Sequence, residues 1–302
     1  YAPGLGYYAA GATKFGAAGD FVTAPELSPL FGHALANQFA EILALTGGGV
    51  LELGAGTGRL AADVLARLAV LGQLPDSYAI LEPSPDLRAR QRETLDRIAP
   101  ELAARVRWQD ALPDAWTGVI FGNEVLDALP VELLVRREAD APSGPHAAGP
   151  VAAAAGAPAP QSTGHFRRGV ALDATGRIVW RDTPLAAGAE FEAIDALFPA
   201  GDYESEINPE AGALTATLAR LLRRGLLLWI DYGFPAREYY HPQRSAGTLM
   251  CHYRQYAHAV PLVLPGIQDI TAHVNFSAIA QAGVGAGLEL AGYASQAGFL
   301  LD

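Results

Sequence analysis

Two short stretches carry side chains that could do chemistry. In FGNEVLDALPVE (121–132), Asn123, Glu124 and Asp127 gather just after an apolar run. Glu124 and Asp127 are three residues apart, so on a helical turn they share one face and make a two-carboxylate clamp. Such a clamp fits the fork of a guanidinium through charge-assisted hydrogen bonds. Acids drawn to a first helical turn by the helix dipole would look the same in sequence. The second stretch, LELGAGTGRLAADVL (51–65), sets Gly54, Gly56 and Gly58 behind another apolar run, with Glu52 two residues ahead of the first glycine. A turn with so little side-chain bulk lets a ligand approach the backbone, and the helix after it offers its positive end to an anion. It could also be no more than a tight turn. A P-loop is excluded, because Gly58 is followed by Arg59 and Leu60 rather than by lysine and a hydroxyl residue. The G-x-G-x-G spacing also departs from the G-x-G-x-x-G of dinucleotide sites and disfavours a nicotinamide oxidoreductase.

The elements that must position these residues alternate. Residues 23–45 place Leu30, Leu35, Phe39, Ile42 and Leu43 at helical spacing and predict one amphipathic helix capped near Thr23. Strands are expected at 50–53, 78–81, 106–108 and 118–121, separated by helices after the glycine turn and over 85–98, which is the βαβ pattern of a parallel sheet covered on both faces. Glu82 ends the second strand, where a carboxylate can accept hydrogen bonds from both ribose hydroxyls of an adenosine; it could instead cap the helix after Pro83. Asp110 follows the third strand, where this kind of fold meets an adenine ring, or is an ordinary loop aspartate. The acid stretch lies at the carboxyl end of the fourth strand, the edge at which an open α/β sheet binds ligands. Beyond it, 131–137 and the pair HFRRGVALD and GRIVWRD read as antiparallel ribbons turning through Asp173–Gly176. The Ala-, Pro- and Gly-rich segment 139–163 reads as a mobile surface loop. Helices near 186–197 and 209–223 lead to a fifth strand at 226–231, and 288–295 is expected to be a sixth. The organisation predicted is a lid and helix (1–46), a cofactor-binding half (47–130), an insertion subdomain (131–224) and a C-terminal half with a substrate-side insertion (225–302).

Half of the 302 residues are apolar, enough for a substantial core, and no run approaches the roughly 20 apolar residues of a membrane span. The net charge of −11 disfavours nucleic acid as a partner and suits a cationic one. One cysteine, Cys251, cannot make an internal disulfide, which fits a reducing compartment such as the cytoplasm or its organellar equivalent but also fits plain scarcity of cysteine. His252, His258, His273 and Cys251 lack the short spacings of zinc sites, so no metal is expected. Both chain ends fall inside what read as elements, as if a terminal helix and strand lay beyond them. A homodimer is allowed, and no motif decides it.

The G-x-G-x-G turn resembles the first motif of the class I S-adenosylmethionine methyltransferases. Together with GYYAAGATKFGAAGDFVTAPELSPLFG (6–32), GNEVLDALPVE, IDYGFPAREYYHPQRSAGTLMCHYRQ (230–255) and PGIQDITAHVNFSAI (265–279), it resembles the MidA-type family, whose mitochondrial members are arginine methyltransferases that assist assembly of respiratory complex I. The resemblance runs almost end to end, sparing 139–163. It implies a seven-stranded Rossmann-like methyltransferase sheet, S-adenosylmethionine as donor, and a protein substrate presenting an arginine. The cofactor would then meet Thr23, Glu52, Gly54, Gly56, Gly58, Glu82, Asp110 and Asn123. Glu124 and Asp127 would hold the guanidinium, with Asp231 or a water taking the proton. The stretch GDFVTAPE would supply a lid with Asp20, Thr23 and Glu26, although Thr23 could equally be a helix cap. Tyr232, Asp269, Thr271, His273 and Asn275 would complete the substrate side. A non-catalytic assembly factor that binds the same cofactor is the alternative.

Overall fold

A computed structural model of the chain describes residues 7, 24–138, 164–186 and 188–301. Asp20, Thr23 and the 139–163 segment lie outside the described residues. The chain enters through α1 (Ala24–Leu27) and α2 (Leu30–Thr46), so the single helix expected over 23–45 is broken at Ser28 and Pro29. A proline disfavours helical geometry in the residue before it and has no N–H to continue the ladder.

Then come β1 (Gly49–Leu53), α3 (Arg59–Val70), β2 (Tyr78–Leu81), α4 (Pro85–Ile98), the single turn α5 (Pro100–Ala103), β3 (Val106–Gln109) and β4 (Trp116–Asn123). The start of α4 follows from its sequence: Ser84 accepts from the Leu87 N–H as N-cap, and Pro85 occupies a first-turn position where its missing N–H costs nothing. After β4 the chain leaves the sheet for β5 (Glu132–Arg137), β6 (Gly164–Leu172), β7 (Ile178–Pro184), α6 (Ala189–Leu197) and β8 (Tyr203–Ile207). It returns through α7 (Pro209–Leu221) to β9 (Leu222–Ile230). The last part holds β10 (Gly233–Phe234), α8 (Ala236–Tyr239), β11 (Met250–Tyr253), β12 (Tyr256–His258), β13 (Asp269–Thr271), β14 (Val274–Asn275), α9 (Phe276–Gly285) and α10 (Gln296–Leu301).

The core sheet runs β3-β2-β1-β4-β9 with every pairing parallel. All of β1 is buried, and its side chains alternate between two apolar layers. Val50 packs with α2 and α3 on one face, where Phe39 meets Phe121 at 5.0 Å between ring centroids; Leu51 and Leu53 pack with Leu218 and Leu221 of α7 on the other. The strand order reverses between β1 and β4, which opens a crevice at their carboxyl ends.

This is the Rossmann-like class I architecture, with five strands among the described residues rather than the seven implied by the resemblance. The run 288–295, expected as a sixth strand, joins no ladder; it is irregular chain between α9 and α10, with Leu290 and Tyr293 exposed. An alternating apolar pattern marks a chain that could pair, whereas a strand requires a partner for its N–H and C=O groups. The inserted sheet, ordered β7-β6-β5-β8, is antiparallel, and its β6–β7 hairpin turns through Asp173–Gly176 as the sequence predicts. There the Asp173 carboxylate accepts from the Thr175 and Arg177 N–H groups.

Candidate functional site

A cavity of about 980 Å³ follows the carboxyl edge of the sheet from the glycine turn to the 269–273 segment. That volume suits a nucleoside-sized cofactor together with part of an acceptor. At one end Gly54, Gly56 and Gly58 all have positive φ, at 64°, 53° and 82°. At Gly58 a Cβ would lie 2.9 Å from the Cα of Gln91 in α4. Gln91 is fully buried and ties this end together: its amide donates to the Gly56 carbonyl at 3.1 Å and to Glu82 Oε2 at 3.3 Å, while Trp108 donates to its Oε1 at 2.7 Å. Nothing in its sequence neighbourhood marks Gln91, because its partners come from three other elements.

Glu82 lines the cavity and also accepts from the Ser84 N–H at 2.9 Å, so the carboxylate steadies the entry to α4 while facing the crevice. Glu52 lines the cavity from β1 but gives Oε2 to the Tyr78 hydroxyl at 2.6 Å; burial pushes its carboxyl up to about 7, against that hydrogen bond. Glu26 lies at the rim and accepts from Thr57 at 2.5 Å, next to Arg59, which is paired with Asp63 at 2.8 Å. Asp110 is not on the cavity wall: its side chain is 86% exposed and bound to Arg88 at 2.6 Å.

At the other end β4 stops at Asn123, and the acids follow on a turn rather than on the helical turn expected. With no helix there, a helix dipole does not account for the acids. Glu124 has φ 51°, a left-handed conformation that costs a non-glycine residue about 1–2 kcal/mol. Its N–H donates to the Ile230 carbonyl at 2.8 Å, which holds it at the β4–β9 edge. Asp231 pins the same turn from beneath, accepting from the Leu126 N–H at 2.9 Å, the Asp127 N–H at 3.2 Å and its neighbour Tyr232 at 2.9 Å. It does not line the cavity, and burial, then the Asp127 charge, push its carboxyl up to about 8.

The wall at this end brings Glu124, Asp127, Tyr232, Asp269, Thr271 and His273 together, joined by Met250 and His252 of β11, which sequence reasoning missed as lining residues. Asp269, Thr271 and His273 alternate along one side of the β13 segment, so they reach the wall together. Asn275 instead caps α9, accepting from the Ala278 N–H at 3.3 Å. The Tyr232 hydroxyl donates to Asp127 Oδ2, and Asp127 Oδ1 is buried with no hydrogen-bond partner among the described residues. Burial pushes the Asp127 carboxyl up to about 6, Tyr232 opposing and Asp269 adding. Burial, then the Asp127 charge, push Glu124 up to about 7. Among the described lining residues this end holds three carboxylates and no lysine or arginine.

A five-stranded parallel sheet with a side-chain-poor glycine turn after β1, a carboxylate ending β2 and a cavity at the switch point defines a class I methyltransferase-type cofactor site. Residues 34–294 match the model of a family of S-adenosyl-L-methionine-dependent methyltransferases, and the chain belongs to this family, the MidA type. A COG1565 superfamily protein from Burkholderia thailandensis, crystallised with S-adenosyl-homocysteine bound, is 50% identical over 100% of this chain and 73% of its own, with a TM-score of 0.89. The protein arginine methyltransferase NDUFAF7 of Rattus norvegicus is 28% identical over 91% of this chain, and the homologue of Caenorhabditis elegans is 34% identical over 43%. The chain spans 62% of the length of the rat relative and 36% of that of the nematode one. Among the described residues no helix is long and apolar enough to cross a membrane.

Proposed function

We propose that this chain carries the active site of a protein arginine N-methyltransferase, acting on a respiratory-complex subunit or another protein in the cytoplasm or the mitochondrial matrix. The observation that carries this reading is the buried, unpartnered Asp127 Oδ1 at an end of the cavity lined by three carboxylates. The relatives named as protein arginine methyltransferases support it.

The glycine turn and Glu82 fit an S-adenosylmethionine: the turn brings bare backbone and the start of α3 to the methionine part, and Glu82 faces the crevice where ribose hydroxyls would donate to it. When bound, this cofactor supplies a sulfonium methyl open to in-line attack. Glu124 and Asp127 hold the guanidinium through charge-assisted hydrogen bonds and fix which nitrogen faces the methyl. As the N–C bond forms and the S–C bond breaks, the nitrogen sheds a proton, and Glu124, with a carboxyl near 7, accepts it. Asp231 acts one layer back, orienting the turn that carries both acids.

Incubating the purified chain with labelled S-adenosylmethionine and lysate from cells lacking it should place label in methylarginine of a protein band, read by mass spectrometry. Persistent absence of label, with S-adenosyl-homocysteine still bound, would favour the non-catalytic assembly factor.

The raised carboxyls set a pH dependence. A guanidinium binds the ionised acids, so below about 7 binding must first expel their protons, at a cost near tenfold in affinity per pH unit per protonated group. Transfer at subsaturating acceptor should therefore climb steeply from about pH 5.5 and level off above about pH 8. A flat profile over that range would remove the acids from acceptor binding.

A further inference from the structure

Glu206 of β8 is 1% exposed and has no cationic partner among the described residues. Burying a lone carboxylate is costly unless donors surround it, and here they come from the 248–249 loop and from Tyr239 of α8. Its oxygens accept from the Thr248 N–H at 2.9 and 3.0 Å, the Thr248 hydroxyl at 3.0 Å, the Leu249 N–H at 2.9 Å and the Tyr239 hydroxyl at 3.4 Å. The loop can close this tightly because residue 247 is glycine: its φ is 73°, and a Cβ there would lie 2.4 Å from Glu206 Oε1.

The restraint is passed on. The Thr248 hydroxyl, while donating to Glu206, accepts from the His273 N–H at 3.0 Å. His273 lines the acid end of the cavity, its ring stacked on Phe234 at 5.3 Å and 17° and meeting Tyr232 edge-on at 5.3 Å and 81°. Tyr232 is the residue that donates to Asp127. Thr248 also leads directly into β11, which brings Met250 and His252 to the same wall. The inserted sheet is thus tied by one buried carboxylate and one hydroxyl to the His273 segment at the acid end of the cavity.

We propose that Glu206 and Thr248 are positioning residues for the methyl acceptor, holding the His273 wall in register with Glu124 and Asp127. The inference rests on the arginine reading above. A reacting group displaced by about 1 Å can lose about a hundredfold in rate, so residues that touch no substrate can still govern transfer.

The test uses the purified chain as Thr248→Val, Thr248→Ser and Glu206→Gln, with two readouts. One is kcat/KM for transfer of labelled methyl into the acceptor band. The other is the NMR signal of the His273 imidazole with S-adenosyl-homocysteine bound, which needs no acceptor. Thr248→Val keeps the side-chain shape and covers the case in which Glu206→Gln does not fold. Thr248→Val and Glu206→Gln should lower kcat/KM about tenfold or more and shift or broaden the His273 signal. Thr248→Ser should restore both, with S-adenosyl-homocysteine affinity within about twofold throughout. Wild-type kcat/KM in Thr248→Val, a serine variant as impaired as the valine one, or an equal loss of S-adenosyl-homocysteine affinity would overturn the proposal. If the wild type labels no arginine, the acceptor reading fails, and an unshifted His273 signal in Thr248→Val still overturns the positioning role.

Discussion

Glu124→Gln and Asp127→Asn proteins should lose methyl transfer and, at the same time, become more stable near neutral pH. The loss follows from removing charge aimed at a cation: about a hundredfold in kcat/KM for each single variant, with the double variant falling short of the product because the two acids act on one group. The gain follows from the direction of the pKa shifts. Both carboxyls titrate higher in the folded chain than their ordinary values of 4.5 and 3.8, at about 7 and about 6, so the folded state binds protons more tightly than the unfolded one between those limits. Their contribution to stability is therefore greatest below about pH 4 and is lost as pH rises through 6 to 7. A neutral amide removes that loss. Thermal unfolding at pH 8 should show both variants melting above the wild type, with a flatter dependence of Tm on pH. S-adenosyl-homocysteine affinity should stay within about threefold. Variants that were less active and also less stable at pH 8 would make the acids part of the scaffold.

That pairing of lost activity with gained stability is the mark of a site that spends stability on function. The same acids show where sequence reasoning reaches and where it stops. Glu124 and Asp127 were legible because they follow an apolar strand within a few residues, and the strand end fixes where they go. Their helical spacing was not a helix, since Glu124 takes a left-handed φ that no spacing announces. Asp231 is expected from the resemblance to take the proton; what no local pattern announces is that it accepts from three backbone N–H groups, two of them about a hundred residues away in the turn that carries the acids. Asp110 stands after β3 as expected, but Arg88 reaches it and the cavity does not. Boundaries read well where a local signal ends the element, as at Ser84–Pro85, and badly where the ending depends on something distant, as for 288–295, whose pattern cannot say whether a neighbour exists to pair with.

Gly58 and Gly72 offer a matched pair for the donor side. Both have left-handed φ, 82° and 67°, so alanine at either position should cost about 1–2 kcal/mol of stability through backbone strain alone. They differ in what a Cβ would meet. At Gly72 nothing lies within 4 Å; at Gly58 the Cα of Gln91 lies 2.9 Å away, and backbone of a packed helix cannot step aside as a flexible side-chain end can. Relief would have to come from moving α4 or opening the turn, and either would stretch the Gln91 bridge that spans Gly56 and Glu82 at 3.1 and 3.3 Å. The Gly58→Ala protein should therefore lose about a hundredfold or more in S-adenosyl-homocysteine affinity by calorimetric titration, an effect on the scale of a misplaced binding group. The Gly72→Ala protein should bind like wild type while melting a few degrees lower. Gln91→Ala separates geometry from strain: with no clash and no left-handed cost, it should still weaken binding about tenfold, because Glu82 and the turn lose the group that holds them at one spacing. If Gly58→Ala bound the cofactor as tightly as Gly72→Ala does, the turn would be a structural bend and the cofactor would have to be held elsewhere along the cavity.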